Sequence, residues 1–264
     1  MNKTVAVILA AGRGSRMGPL TSSLPKCLLP LAGRPLLHWQ LEALRRAGVG
    51  AVLVVTGYLG HLLLPKATEG ARQAYDVAEN PAWADTNMLS TLQRAAPWLT
   101  ERFAQGVEQA VISYADIVYR AGHVADLVRS PGSLAVTYDT QWEALWRLRF
   151  GDPLLDAETF RQRDGLLLEI GGKPASMEDV GGQYMGLFKC TPEGWADLTA
   201  AYHALGAAAE RTDMTGFFRH LLARGVEIGA VPVDGGWCEA DSGEDLAKYS
   251  EALRAGGWTH DFRL

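Results

Sequence analysis

The apolar positions open the chain as a block. Val5-Ala6-Val7-Ile8-Leu9 is too short for a typical helix and lacks a 3.6-residue repeat, which predicts a strand buried on both faces of a mostly parallel sheet. Polar and glycine positions follow at once as Gly12-Arg13-Gly14-Ser15-Arg16. The chain therefore leaves this strand through a loop at its carboxyl end, where open α/β sheets bind ligands. Pro35 marks a helix start, Leu37, Leu41 and Leu44 recur on one face, and Gly48 ends the pattern. A second apolar run, Ala51-Val52-Leu53-Val54-Val55, closes a βαβ unit over residues 5–55 with the usual right-handed crossover.

The alternation continues and sets the class as α/β. Strands are predicted at residues 75–78, 110–114, 133–138, 166–170, 184–189 and 227–233, and helices at 88–99, 192–205, 214–224 and 243–254. Ser242 with Asp245 three residues later forms a capping box before the last helix. Residues 139–182, rich in Trp, Arg, Asp and Gly, interrupt the pattern and are predicted to be an insertion beside the sheet. No repeat, low-complexity tract or linker divides the chain, so residues 1–264 are expected to form one elaborated domain.

Composition narrows the classes. The chain has 264 residues, 48 % of them hydrophobic, enough for a continuous core. Its longest apolar runs fall short of a bilayer, and residues 1–4 lead into the first strand without a signal-peptide pattern; no membrane partner and a cytoplasmic location are expected. Cys27, Cys190 and Cys238 are far apart, supporting neither a disulfide framework nor a thiolate zinc site. Lys and Arg number 25 against 30 Asp and Glu, and no basic cluster suggests a nucleic-acid surface. An anionic ligand needs local positive charge, which Arg13, Arg16, Lys26 and Arg34 supply.

Known phosphate loops fit poorly. The third glycine of a dinucleotide fingerprint is replaced by Met17, and no acidic residue ends a second strand about 20 residues on; no Gly-Lys-Ser/Thr completes a Walker loop. What remains is a flexible loop whose N–H groups approach phosphates, with Arg16 and Lys26 adding charge-assisted hydrogen bonds.

Leu9-Ala10-Ala11-Gly12-Arg13-Gly14-Ser15-Arg16-Met17, then Leu24-Pro25-Lys26-Cys27-Leu28-Leu29-Pro30 and Gly33-Arg34-Pro35-Leu36, resembles the signature of the sugar-phosphate nucleotidyltransferase superfamily. Gly57-Tyr58-Leu59, Asn80 with Thr86-Asn87, Asp116 and Glu239-Ala240-Asp241-Ser242 are most similar to bacterial choline-phosphate and aminoethylphosphonate cytidylyltransferases. The resemblance implies a Rossmann-like three-layer αβα sandwich around a mixed, mostly parallel sheet. It implies Mg²⁺-dependent transfer of CMP from CTP to a small phosphate or phosphonate, such as choline phosphate or aminoethylphosphonate, with release of pyrophosphate. A uridylyl- or thymidylyltransferase using a sugar 1-phosphate is the alternative, and a non-catalytic nucleotide-binding regulatory subunit is the alternative of another class. Oligomeric state is open, a homodimer being among the options.

The family pattern also implies roles. Arg16 would neutralise the β- and γ-phosphates and Lys26 would bridge the α-phosphate and the incoming phosphate, while Asp116 and Asp241 would hold Mg²⁺. Glu239 shares the Asp241 segment and is expected on its opposite face, supporting the metal from behind. Leu9, Ala10, Ala11, Gly12, Arg13, Gly14 and Ser15 would wrap the nucleotide, assisted by Asn80, Thr86 and Asn87; Met88 departs from the asparagine that relatives often repeat there. The acceptor pocket is expected from Asp139, Trp142, Trp146, Arg147 and Arg149 of the insertion, with Tyr184 and Asp213. Aromatic faces beside a carboxylate suit a quaternary ammonium, whereas the two arginines suit an anion. Trp142 and Trp146, spaced i and i+4, are equally readable as one apolar face of a short helix.

Overall fold

The structure, a computed structural model, describes residues 3–64 and 74–263. β1 (Thr4–Ala10) is buried along its whole length. Two short 3₁₀ turns, Ser15–Thr21 and Lys26–Leu28, carry the glycine-rich loop into a small hairpin, β2 (Pro30–Leu31) and β3 (Arg34–Pro35). α1 (Leu36–Arg46) starts immediately after Pro35, and β4 (Val52–Thr56) lies parallel to β1, completing the expected βαβ unit. β5 (Asp76–Glu79) adds a parallel edge strand.

The helix predicted over 88–99 is two helices, α2 (Met88–Gln93) and α3 (Ala96–Ala104). Pro97 explains the division, since proline lacks an N–H and is tolerated only in a helix's first turn, which here is the first turn of α3. β6 (Gln109–Tyr114) runs parallel to β1, followed by β7 (Ile117–Tyr119) and by α4 (Ala121–Arg129). α4 escaped the pattern reading although Val124, Leu127 and Val128 form an i, i+3, i+4 stripe.

β8 (Leu134–Asp139) leads into the segment expected as an insertion, which contains α5 (Trp142–Phe150) and the hairpin β9 (Phe160–Arg163) and β10 (Leu166–Ile170). That hairpin extends the main sheet: β10 pairs antiparallel with both β9 and a later strand. β11 (Gln183–Cys190), α6 (Pro192–Leu205), α7 (Met214–Ala223), β12 (Gly229–Val233), β13 (Trp237–Glu239) and α8 (Gly243–Ala255) complete the chain.

Nine strands form one sheet in the order β5-β4-β1-β6-β11-β8-β12-β10-β9. Only β11 and β10 run against the other seven, so the sheet is mixed and mostly parallel. Successive side chains of a strand face opposite sides. Ala6, Ile8 and Ala10 of β1 accordingly join one apolar cluster with α1 and α4, whereas Val5, Val7 and Leu9 join another with α6 and α7. These two clusters make the three layers of an αβα sandwich. Among the described residues no helix is long and apolar enough to cross a membrane.

Candidate active site

Three pieces of chain meet at the carboxyl ends of β1 and β6. The loop after β1 needs Gly14 for two reasons: its φ is +66°, and an added Cβ would lie 2.8 Å from the Lys26 side chain. Lys26 therefore packs directly against the loop. Asp116 sits in the turn between β6 and β7. β7 pairs antiparallel with β13, and the Ala240 N–H donates to the Asp116 carbonyl at 2.9 Å, which brings the segment 239–241 beside Asp116 across more than 120 residues of sequence.

The resulting charge cluster is dense. Lys26 Nζ donates to Asp116 Oδ2 and to Asp241 Oδ1, each at 2.7 Å, from a side chain only 12 % exposed. Burial would lower the Lys26 pKa, but the Asp116 and Asp241 carboxylates outweigh it and hold the ammonium above its ordinary value. Arg16, largely exposed, reaches Asp241 Oδ1 at 3.0 Å. Glu239 faces the same cluster, contrary to the expectation that it points away. Residues two apart on an extended segment share a face, and Ala240 is the one turned inward, at 1 % exposure.

Carboxylate oxygens of Asp116, Glu239 and Asp241 lie within 4.8 Å of one another. Asp116 Oδ1 is buried with no hydrogen-bond partner among the described residues. Three hard oxygen donors, one of them unsatisfied, fit a divalent cation that completes its shell with water and phosphate. Burial and the neighbouring Asp241 charge push the Glu239 carboxyl up; burial also opposes ionisation of Asp241, but Lys26, Arg149 and Arg16 hold it below the usual carboxylate range.

Two clefts open on this cluster. The first, about 290 Å³, is lined by Leu9, Ala10, Ala11 and Gly12, then by Gly14, Ser15 and Arg16 from the loop. Thr86 and Asn87 form its opposite wall, and Lys26 and Asp116 its floor. Met88, singled out in the sequence beside Asn87, lies on this wall, and sequence reasoning missed Trp83 and Thr91 there; Trp83 precedes Thr86 in the same turn and was the available signal. Cys27 also lines it, but burial pushes its thiol up to about 12, leaving it un-ionised.

Two of the expected nucleotide residues lie outside that lining. Arg13 is exposed, with its guanidinium 5.5 Å from the Tyr58 ring centroid. Asn80 is fully buried, donating to Thr86 Oγ1 and Thr91 Oγ1 and accepting from the Ala82 N–H, so it shapes the wall from behind.

The second cleft, about 320 Å³, shares Arg16, Asn87, Met88 and Asp116 with the first. Trp146, Tyr184 and Asp213 line it as expected, together with Glu239 and Asp241. Asp156, Glu158 and Thr215 were not anticipated; Asp156 and Glu158 lie in the irregular part of 139–182, where no periodicity orients a side chain.

Four expected acceptor residues do not line this cleft, and each has a structural task instead. Asp139 is fully buried and accepts hydrogen bonds from the Gln141 and Gly235 N–H groups and from Trp237 Nε1, with His260 Nε2 2.8 Å away. Trp142 is 5 % exposed and packs in the core, edge-to-face against Trp146. Arg147 is exposed and pairs with Glu143 on its own helix. Arg149 is fully buried: Nη1 meets Glu239 Oε2 and Nη2 meets Asp241 Oδ2, both at 2.9 Å, from behind the carboxylate cluster. The helical reading of the tryptophan pair is thus correct for Trp142, while Trp146 serves both core and cleft.

Comparison with known proteins follows the same outline. The MobA-like NTP transferase domain family matches residues 6–209. A CTP:phosphoglutamine cytidylyltransferase of Campylobacter jejuni is 34 % identical over 251 residues, covering 91 % of this chain and 97 % of its own. A 2-aminoethylphosphonate cytidylyltransferase of Lancefieldella rimae is 35 % identical over 122 residues, 46 % of each chain. The solved structure of the inositol-1-phosphate CTP transferase from T. maritima superposes with a TM-score of 0.72 at 16 % identity, covering 95 % of this chain and 97 % of that one, a likeness of fold.

Proposed function

Because this chain belongs to the MobA-like NTP transferase family and is a nucleotidyltransferase, we propose that it transfers CMP from CTP to a small phosphate or phosphonate acceptor, releasing pyrophosphate, with Mg²⁺ held at Asp116 and Asp241. The observation that carries this reading is the position of Lys26, which lines the first cleft and is clamped between Asp116, a residue of both clefts, and Asp241, a residue of the second. A cation there touches both the α-phosphate of a nucleotide in the first cleft and the attacking oxygen of an acceptor in the second.

An acceptor phosphoryl oxygen attacks the α-phosphorus in line. The new O–P bond forms as the α–β bridging P–O bond breaks, and its electron pair leaves with pyrophosphate. Such a transfer needs positioning and charge neutralisation more than a protein nucleophile. Arg16, exposed and held to Asp241 by one contact, takes the β- and γ-phosphates. Lys26 holds the α-phosphate and the acceptor oxygen together. The main-chain groups of residues 9–12 receive the base and ribose. Asp116 and Asp241, with Glu239 as a third carboxylate beside them, would hold Mg²⁺, which would supply Lewis-acid neutralisation of the triphosphate.

The test is pyrophosphate release with CTP, UTP, dTTP, GTP or ATP crossed with choline phosphate, aminoethylphosphonate, phosphoglutamine and sugar 1-phosphates, with Mg²⁺ or EDTA. Metal-dependent release confined to CTP and a small phosphate or phosphonate is expected. Release only with UTP or dTTP and a sugar phosphate overturns the choice of base and acceptor, and silence with every pair overturns the catalytic reading.

A further inference from the structure

The turn that carries Asp116 is pinned from behind by three buried polar side chains. Gln40 stands on the buried side of α1 among Leu37, Leu41 and Leu44, and like them it has no exposed surface. Its Nε2 donates to the Ile117 carbonyl at 2.7 Å, across 77 residues of sequence. Ser113 Oγ, also fully buried, reaches Gln40 Oε1 at 3.1 Å and the Tyr114 carbonyl at 2.9 Å, and the buried Tyr119 hydroxyl donates to Ser113 Oγ at 3.1 Å. Residues 113, 117 and 119 are thus tied together, with Asp116 inside the loop they close.

Stability alone gives no reason for an amide at this place. A buried amide costs free energy unless it is hydrogen-bonded, and a satisfied pair is nearly matched by apolar side chains of the same shape. What the amide adds is direction, since a hydrogen bond to a main-chain carbonyl fixes where that peptide lies. Ile117 adjoins Asp116 and is the β7 partner of Glu239, and the Asp116 carbonyl accepts from the Ala240 N–H. A shift of the Ile117 peptide therefore reaches Asp116 directly and the segment 239–241 through the strand pairing. Among the described residues Lys26 is the one side chain that holds the Asp116 carboxylate, through Oδ2, so main-chain placement decides where Oδ1 stands.

We infer that Gln40, braced by Ser113 and Tyr119, is a positioning residue: it fixes where the Asp116 carboxylate stands relative to Glu239 and Asp241, and through that placement the affinity of the three carboxylates for a divalent cation. The inference rests on the metal site of the reading above and adds to it a group that touches neither substrate nor cation. Gln40 acts only through the Ile117 carbonyl. Removing a group that orients metal ligands from behind weakens metal binding by about 10-fold or more. Gln40→Met keeps nearly the same side-chain volume while deleting both hydrogen bonds.

Mn²⁺ binding to the full chain without nucleotide, read by paramagnetic resonance of the free ion, tests this apart from turnover. Gln40→Met is expected to bind Mn²⁺ about 10-fold more weakly than the wild type. Ser113→Ala, which removes the donor to Gln40 Oε1, should weaken binding in the same direction and serves if Gln40→Met does not fold. Leu44→Ala, one turn along the same buried face, lowers stability by leaving a cavity and should leave Mn²⁺ affinity unchanged. Hydrogen exchange is the second measurement: amides of residues 114–118 should exchange faster in Gln40→Met beyond any rise shared by β1, and not in Leu44→Ala. Wild-type Mn²⁺ affinity in both polar variants, or an equal loss in Leu44→Ala, overturns the positioning role. If the wild type takes up no Mn²⁺, the metal reading above is overturned, and exchange alone decides whether Gln40 holds the turn: a selective rise at 114–118 upholds it and a uniform rise overturns it.

Discussion

Arg149 Nη2 donates to Asp241 Oδ2 at 2.9 Å from a side chain with no exposed surface, while the other oxygen of the same carboxylate faces Lys26 and Arg16. One carboxylate is thus held from behind by a buried guanidinium and presented forward to the clefts. Burial would lower the Arg149 pKa, but Glu239, Asp245 and Asp241 hold it above its ordinary value, so the charge is permanent. Arg149→Met leaves Glu239 and Asp241 buried without that partner and is expected to lower stability by about 3–5 kcal/mol. The urea midpoint measures it, and an unchanged midpoint contradicts the role. Arg149→Lys keeps the charge but not the two-pronged geometry; it should fold and require more Mg²⁺ for half-maximal turnover, whereas a residue that merely fills space would leave the metal requirement alone.

Lys26, in the first cleft, meets Asp116, a residue of both clefts, at 2.7 Å. Lys26→Ala and Asp116→Ala are each expected to cut turnover by about 100-fold or more, as loss of electrostatic stabilisation does. Circular dichroism should show both folded. Wild-type turnover in either variant contradicts the proposed chemistry.

The Lys26 ammonium binds the same two carboxylates that a divalent cation would use, Asp116 through Oδ2 and Asp241 through Oδ1. Cation and lysine compete for Asp116 and Asp241, so Lys26→Met should bind Mn²⁺ more tightly than the wild type in the absence of nucleotide. Paramagnetic resonance of free Mn²⁺ reads this directly. Weaker binding in the variant would mean that Lys26 organises the metal site rather than competing for it.

Asp139 and His260 are both fully buried, 2.8 Å apart, and fasten the C-terminal segment under β8 and β13. Burial would raise the Asp139 carboxyl, but hydrogen bonds from His260, Gly235 and Trp237 hold it below the usual carboxylate range. A depressed carboxyl stabilises the fold in full above the unfolded-state value of about 3.9, and that contribution is lost as pH falls from there through the lower folded-state value. His260→Ala should therefore destabilise by about 3 kcal/mol near neutral pH and flatten the acid limb of the stability profile, leaving CTP affinity close to wild type. Loss of CTP binding in a folded His260→Ala protein would return Asp139 to the binding site.

The sheet's first half was legible because strands buried on both faces write themselves as unbroken apolar runs, and the first loop because Gly14, Arg16 and Lys26 lie close together in sequence. The break between α2 and α3 was present too, in Pro97, but an apolar stripe that continues across it hid the division. α4 was missed for the opposite reason, its stripe being short and flanked by strands.

The sequence by itself determined the α/β class, the glycine-rich loop at the carboxyl end of β1 and the chemical types at Arg16, Lys26, Asp116 and Asp241. Only the tertiary structure decided which charges face the clefts. Arg149 and Asp139 carry the same functional groups as residues that line the clefts, and what removed them from the clefts was the pairing of α5 with Glu239 and Asp241 and of β8 with His260. Glu158 lines the second cleft because the hairpin β9–β10 joins the sheet edge and α7 brings Asp213 and Thr215 beside it. Hydrophobic periodicity records whether a position is buried. It carries no record of the distant partner, and for a charged side chain the partner decides whether it holds the fold together or meets the substrate.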